Sequence, residues 1–185
     1  MLAVYPGSFD PPTVAHLAVV RAALDHVDEV RLVLSEVALG KEDLPDGRVP
    51  VAARRAVLEA LAAEILDLSV ALTRAGLIAD IAEEAGADAV VVGTDKWAQI
   101  LDPAWYGAST ERRDDALRRL PRVLLAPRAG VPRHLEDEPV VPPSVTVDLV
   151  HLDLDPAHRQ VSSTRARAGE LHLMAAEARA SGHWA

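Results

Sequence analysis

Short apolar runs alternate with helix-periodic stretches along most of the chain, and this alternation constrains the fold more than any other feature. Residues 2–5, 29–34, 66–72, 89–92 and 122–126 each read as a strand. Ala89-Val-Val-Val92 is apolar at every position, the pattern of a strand covered on both faces. Between these runs helical spacing recurs: Leu17, Val20 and Leu24 share one face of a helix over 14–24, and further helices are expected over 51–62, 77–84 and 111–119. Residues 145–149 supply a last strand and 163–180 a last, mostly helical segment, while the pattern loosens over 94–107. Strands and helices in alternation predict an α/β fold with a parallel sheet and right-handed crossovers. The proline-rich stretch 128–143, with its acidic Glu136-Asp-Glu138, reads as an exposed loop within one domain spanning 1–185 rather than as a linker between two.

Composition narrows the class of partner. Half of the residues are apolar, mostly Ala, Val and Leu with few aromatics, which suits helices packed on a buried sheet. A net charge of −9 argues against a general binder of nucleic acid or anionic membrane, because a polyanion needs a basic surface to release its counterions. Any phosphate must therefore meet a local cluster of cations. The chain has no cysteine, so disulfide frameworks and thiolate metal sites are out of reach. Neither a basic leader nor a run of ~20 apolar residues is present, so a cytoplasmic protein is expected, with homo-oligomerisation left open.

Two motifs carry the chemistry. In Tyr5-Pro-Gly-Ser-Phe-Asp-Pro-Pro-Thr-Val-Ala-His16 a strand ends in a stiff turn and a helix begins. Gly7 lets the backbone approach a ligand, and free amides before the helix favour an anion. Thr13 and His16, three apart, share one helix face. The plainer reading makes Thr13 a helix cap and His16 a surface residue. In Val161-Ser-Ser-Thr-Arg-Ala-Arg167, Ser162 caps a second helix start beside Ser163 and Thr164, with Arg167 one turn on; an ordinary capped helix with solvated arginines is the alternative. Neither the Gly-x-x-x-x-Gly-Lys-Ser/Thr loop nor the Gly-x-Gly-x-x-Gly fingerprint occurs.

Together, Gly7-Ser-Phe-Asp-Pro-Pro-Thr-Val-Ala-His16 and Val161-Ser-Ser-Thr-x-x-Arg167 resemble the paired signatures of the nucleotidylyltransferase superfamily. The resemblance implies a Rossmann-like, doubly wound parallel sheet and transfer of AMP from ATP to a phosphate-bearing acceptor. It places ATP between Gly7, Ser8, Phe9, Thr13 and His16 on one side and Ser162, Ser163, Thr164 and Arg167 on the other. By the same resemblance His16 donates to the α-phosphate, Thr13 and Arg167 hold the leaving phosphates, and Mg²⁺ travels with the triphosphate rather than in a resident metal site. Where many relatives have glycine, this chain has Ala15.

The acceptor landmarks are mixed. The opening turn and Gly76-Leu-Ile-Ala-Asp-Ile-Ala-Glu-Glu-Ala-Gly86 look like pantetheine-phosphate adenylyltransferases, whereas Gly93-Thr-Asp95 followed by Trp105 is similar to nicotinate and nicotinamide mononucleotide adenylyltransferases. The latter resemblance is taken first, which adds Gly93 and Asp95 to the ATP set and assigns Lys41, Asp95 and Trp105 to the acceptor. Trp97 and Trp105 suit ring stacking or core packing alike. Lys41 reads as an acceptor-phosphate cation supported by Arg54 or Arg55. Ala15 and the mixed landmarks also keep a second class in view, a nucleotide-binding or sensing protein with weak turnover.

Overall fold

The computed structural model describes residues 1–36, 48–129 and 141–184. Six strands, β1 (Leu2–Gly7), β2 (Glu29–Ser35), β3 (Leu68–Thr73), β4 (Ala89–Gly93), β5 (Arg122–Ala126) and β6 (Leu149–His151), form one parallel sheet in the order β3-β2-β1-β4-β5-β6. Order reverses between β1 and β4, so the sheet is doubly wound and its crevice opens at their carboxyl ends. The ladder between those two strands is short, pairing Ala3 with Ala89 and Val4 with Val90. Pro6, which has no N–H to donate, lies beyond its end.

Apolar residues alternate between the faces of each strand. Ala3, Val30, Leu32, Leu34, Ala89, Val91 and Leu124 pack on one side beneath α1 (Val14–Leu24) and α2 (Val51–Ala63). On the other side Val4, Val33, Val90, Val92, Val123 and Leu125 meet α3 (Ile78–Ala85), α4 (Thr94–Leu101) and α5 (Thr110–Arg118). This double burial is why the strands read as continuous apolar runs.

Three expectations are corrected. The segment 94–107 is α4 followed by a 3-10 turn at Pro103–Tyr106, because Thr94, Trp97 and Ile100 fall on one buried helix face. The last strand is Leu149–His151 rather than 145–149; Val145 is buried against the sheet, yet pairing with β5 begins only at Leu149. The C-terminal helix is broken into α6 (Pro156–Arg159), α7 (Ser163–Arg167), a 3-10 turn at Leu171–Leu173 and α8 (Ala176–Ser181). Gly169, at φ 111°, ends α7, and the chain then crosses the opening turn, with Met174 bridged to Thr13 and the Ala175 N–H bonded to the Pro12 carbonyl at 3.0 Å.

Candidate functional site

At the reversal of strand order the carboxyl ends of β1, β4 and β5 open into a cavity of about 290 Å³. Its wall holds Gly7, Ser8, Phe9, Thr13, His16, Gly93, Asp95, Ser162, Ser163, Thr164 and Arg167, so both sequence motifs and the Gly93-Thr-Asp95 turn meet in one place. Ala15 is also in the wall.

The opening turn is fixed by its aromatic residues. Phe9 adopts φ 43°, outside the range most side chains favour, and its ring is buried edge-on to Tyr5 and His16, with centroids 5.5 and 5.1 Å away. Arg54, buried at the start of α2, donates to the Ser8 carbonyl at 2.6 Å and to the Val49 carbonyl at 2.9 Å. Its guanidinium therefore holds the turn and lies outside the cavity wall, while Arg55 pairs with Glu59 on the helix surface. Lys41 lies outside the described residues.

His16 is specified down to its tautomer. The Thr13 N–H donates to His16 Nδ1 at 2.9 Å, and the Thr13 hydroxyl lies 2.9 Å from the same nitrogen. A backbone amide can only donate, so Nδ1 is the acceptor and the ring proton sits on Nε2. Loss of solvent around the ring, reinforced by the charge of Arg128, pushes the imidazole from 6.5 down to about 3. At neutral pH His16 is an uncharged Nε2–H donor. Thr13, 1% exposed, has its hydroxyl engaged with His16 and stands in the cavity wall beside it.

The second motif grips the first. Ser163 Oγ donates to the Pro11 carbonyl at 2.8 Å, and an Arg167 guanidinium N–H donates to the Asp10 carbonyl. Ser162 Oγ caps α7 by accepting from the Arg165 N–H at 3.2 Å, and Arg167 reaches Thr164 Oγ1 at 3.5 Å. The serine hydroxyls thus build the wall, leaving the cation of Arg167 as the motif's electrostatic contribution.

Four basic residues of the cavity were missed in the sequence: Arg48, Lys96, Arg128 and His158. Arg128 ties three segments together, taking its N–H to Thr94 Oγ1 at 3.1 Å, a guanidinium N–H to the Val161 carbonyl at 3.2 Å, and its charge to within 3.7 Å of the Asp95 carboxylate. Its signal was available: it is the first cation past the carboxyl end of β5, where ligands of doubly wound sheets bind. Arg48 and His158 have no comparable local signature. The result is a cationic pocket in a molecule of net charge −9.

Trp97 and Trp105 separate. Trp97 is 0% exposed in the second core, so packing is its role. Trp105 is 45% exposed and lies outside the cavity, in an adjoining groove of about 210 Å³ with Leu77, Ile78, Ile100 and Tyr106. Lys96 lines both spaces, its ammonium 5.9 Å from the Trp105 ring centroid.

The architecture has solved counterparts. The nicotinic acid mononucleotide adenylyltransferase of Plasmodium falciparum, determined with APC and again with NaAD, superposes with TM-scores of 0.60 and 0.61 over 90% of this chain and 82% of that one, at 14% identity. In sequence the chain is 37% identical over 92 residues to the phosphopantetheine adenylyltransferase of Rubrobacter xylanophilus and 36% identical over 93 residues to that of Cutibacterium acnes. These matches take in 50% of this chain and 52% and 55% of the relatives, so the chain spans about half the length of the curated relatives it matches. A wider match, to the model of the cytidylyltransferase-like family, runs over residues 4–169, and the chain belongs to that family.

Proposed function

We propose that this protein transfers AMP from ATP to a small phosphorylated acceptor and releases pyrophosphate. The observation that carries this reading is a neutral Nε2–H donor, His16, in the same cavity wall as the guanidinium groups of Arg48, Arg128 and Arg167. In the reaction an oxygen of the acceptor phosphate attacks the α-phosphorus of ATP, a new P–O bond forms, and the bond to the β-phosphate bridging oxygen breaks with its electron pair leaving on pyrophosphate. No protein nucleophile is needed. The chain's task is to align the two phosphates and to stabilise charge that develops on the departing side. His16 keeps its proton throughout and donates a hydrogen bond to the α-phosphate, while the arginines attract the β- and γ-phosphates.

Mg²⁺ enters this reading as part of the nucleotide. Among the described residues the cavity wall carries a single carboxylate, Asp95, and no group of three or more His, Asp or Glu side chains is placed to hold a metal ion. Such a wall suits a cation brought in on the triphosphate.

For the acceptor, nicotinate or nicotinamide mononucleotide stands first. The groove beside the cavity offers an exposed indole face with an ammonium nearby, a match for a pyridine ring, better still one bearing a carboxylate. The reading with 4′-phosphopantetheine is supported by the curated relatives.

The test is pyrophosphate release from ATP with each acceptor, in the wild type and in His16→Ala and Arg167→Ala. Each substitution is expected to lower kcat by about 10²–10³, or about 2.7–4 kcal/mol of transition-state stabilisation. Equal rates in all three proteins would sink the mechanism. Turnover with 4′-phosphopantetheine alone reverses the order of acceptors, and tight ATP binding without release for either acceptor identifies a nucleotide sensor.

A further inference from the structure

The chain beyond the second motif returns to the first. After Met174 bridges Thr13, α8 packs Ala178 into the core, and Gly182, in the left-handed region at φ 68°, ends the helix. Trp184 then lies against the same core cluster and donates its indole N–H to Asp10 Oδ1 at 2.7 Å. Asp10 is 0% exposed, and it belongs to the turn that carries Phe9 and Thr13.

The other oxygen of Asp10 is the informative one. Oδ2 is buried and accepts no hydrogen bond. Arg48 Nε stands 3.5 Å from it and Arg167 Nη1 3.8 Å, close enough for Coulombic attraction but without hydrogen-bond geometry. A carboxylate free to turn would satisfy that oxygen by closing on one arginine, since an unmet buried acceptor is costly. The indole N–H on Oδ1 opposes that turn. Asp10 is therefore held as a shared counter-charge beside both guanidiniums: its carboxylate takes no donor from either, while its main-chain carbonyl accepts one Arg167 N–H.

We propose that Trp184 is a positioning residue for the arginines that receive the triphosphate: through Asp10 it fixes where Arg48 and Arg167 present their charge. The inference rests on the nucleotide reading given above. Trp184 itself touches no phosphate; its effect passes through one carboxylate to two cations, one from the segment just before α2 and one from α7.

Trp184→Phe keeps most of the apolar contact and removes the N–H. Calorimetric titration with ATP and with AMP is expected to show ATP affinity falling about tenfold, the loss of one hydrogen bond to a charged group, while AMP affinity stays within about twofold. An unchanged ratio of ATP to AMP affinity overturns the proposal, and so does an equal loss for both ligands, which marks general damage. Wild-type protein that binds ATP no more tightly than AMP would instead fail the triphosphate reading itself, and this inference with it. A second measurement needs no substitution. In the intact chain the assigned indole N–H resonance of Trp184 is expected to move when inorganic triphosphate is added, as the arginines exchange Asp10 for phosphate, and to stay in place with adenosine. A resonance that ignores triphosphate overturns the proposal.

Discussion

A Cβ added at Gly7 would come within 2.9 Å of the Phe9 ring, and one at Gly93 within 2.6 Å of Asp95 Oδ1 and 3.1 Å of Arg128 Cδ. The two clashes have different outcomes because the obstructing groups differ in freedom. Phe9 is buried between Tyr5 and His16 and its ring cannot retreat, so Gly7→Ala is expected to cost about 1–3 kcal/mol of stability as overpacking. Asp95 and Arg128 are partly exposed and can swing away. Gly93→Ala should leave stability within about 0.5 kcal/mol but weaken ATP binding, since the displaced pair lines the cavity. Denaturant unfolding and ATP titration of both variants check the contrast; a large stability loss at Gly93 would mean that Asp95 is locked. The same residues show how far single positions could be read. Gly7, Thr13 and His16 declared a tight turn and a shared helix face, but the direction of the Thr13 hydroxyl and the tautomer of His16 depend on a geometry finer than spacing.

Helix α4 gave the weakest signal among the long elements. Its N-cap is Gly93, which supplies no side-chain cap, and Pro103 follows closely on its eight residues. What specifies it is burial of Thr94, Trp97 and Ile100, and burial is a property of the sheet it lands on. Removing the largest of these groups, Trp97→Ala, is expected to cost about 3–5 kcal/mol, whereas Trp105→Ala should stay within about 0.5 kcal/mol and act on acceptor binding instead. Unfolding midpoints in denaturant separate the two. If Trp105→Ala proved as damaging as Trp97→Ala, the exposed groove face would have to be a packing surface. The strands show the opposite balance. β4 and β5 were legible because a strand buried on both faces is apolar almost throughout, and the edge strand β3 because Leu68, Val70 and Leu72 alternate onto one core, while β6 was displaced because Val145, though buried, makes no ladder.

For the whole molecule, burial of His16 links the site to global stability. Its folded value is near 3 against an ordinary 6.5. Above pH about 6.5 both folded and unfolded chains hold the ring neutral, and the native state loses nothing. As pH falls from there towards 3, the unfolded chain binds a proton that the folded chain refuses, so stability declines across that window. Thermal unfolding at pH 7.5 and pH 5 should show a smaller acid loss in His16→Gln than in the wild type; equal losses would mean that His16 is not held neutral. The same insulation predicts that this ring contributes no limb near pH 6.5 to any nucleotide turnover.

By itself the sequence determined the alternation of strands and helices, the parallel sheet, and the two motifs whose residues line one cavity. Each of these depends on neighbours within a few positions: periodicity two or 3.6, a cap, a turn. Tertiary structure alone decided that Arg167 and Trp184 reach Asp10 from 157 and 174 positions away, that Arg48 and Arg128 join the cavity, and that Trp97 and Trp105 part company. Those outcomes depend on where the order of strands reverses and which loops converge there. An arginine's sequence neighbours do not reveal which carboxylate will hold it; only the folded sheet brings the two together.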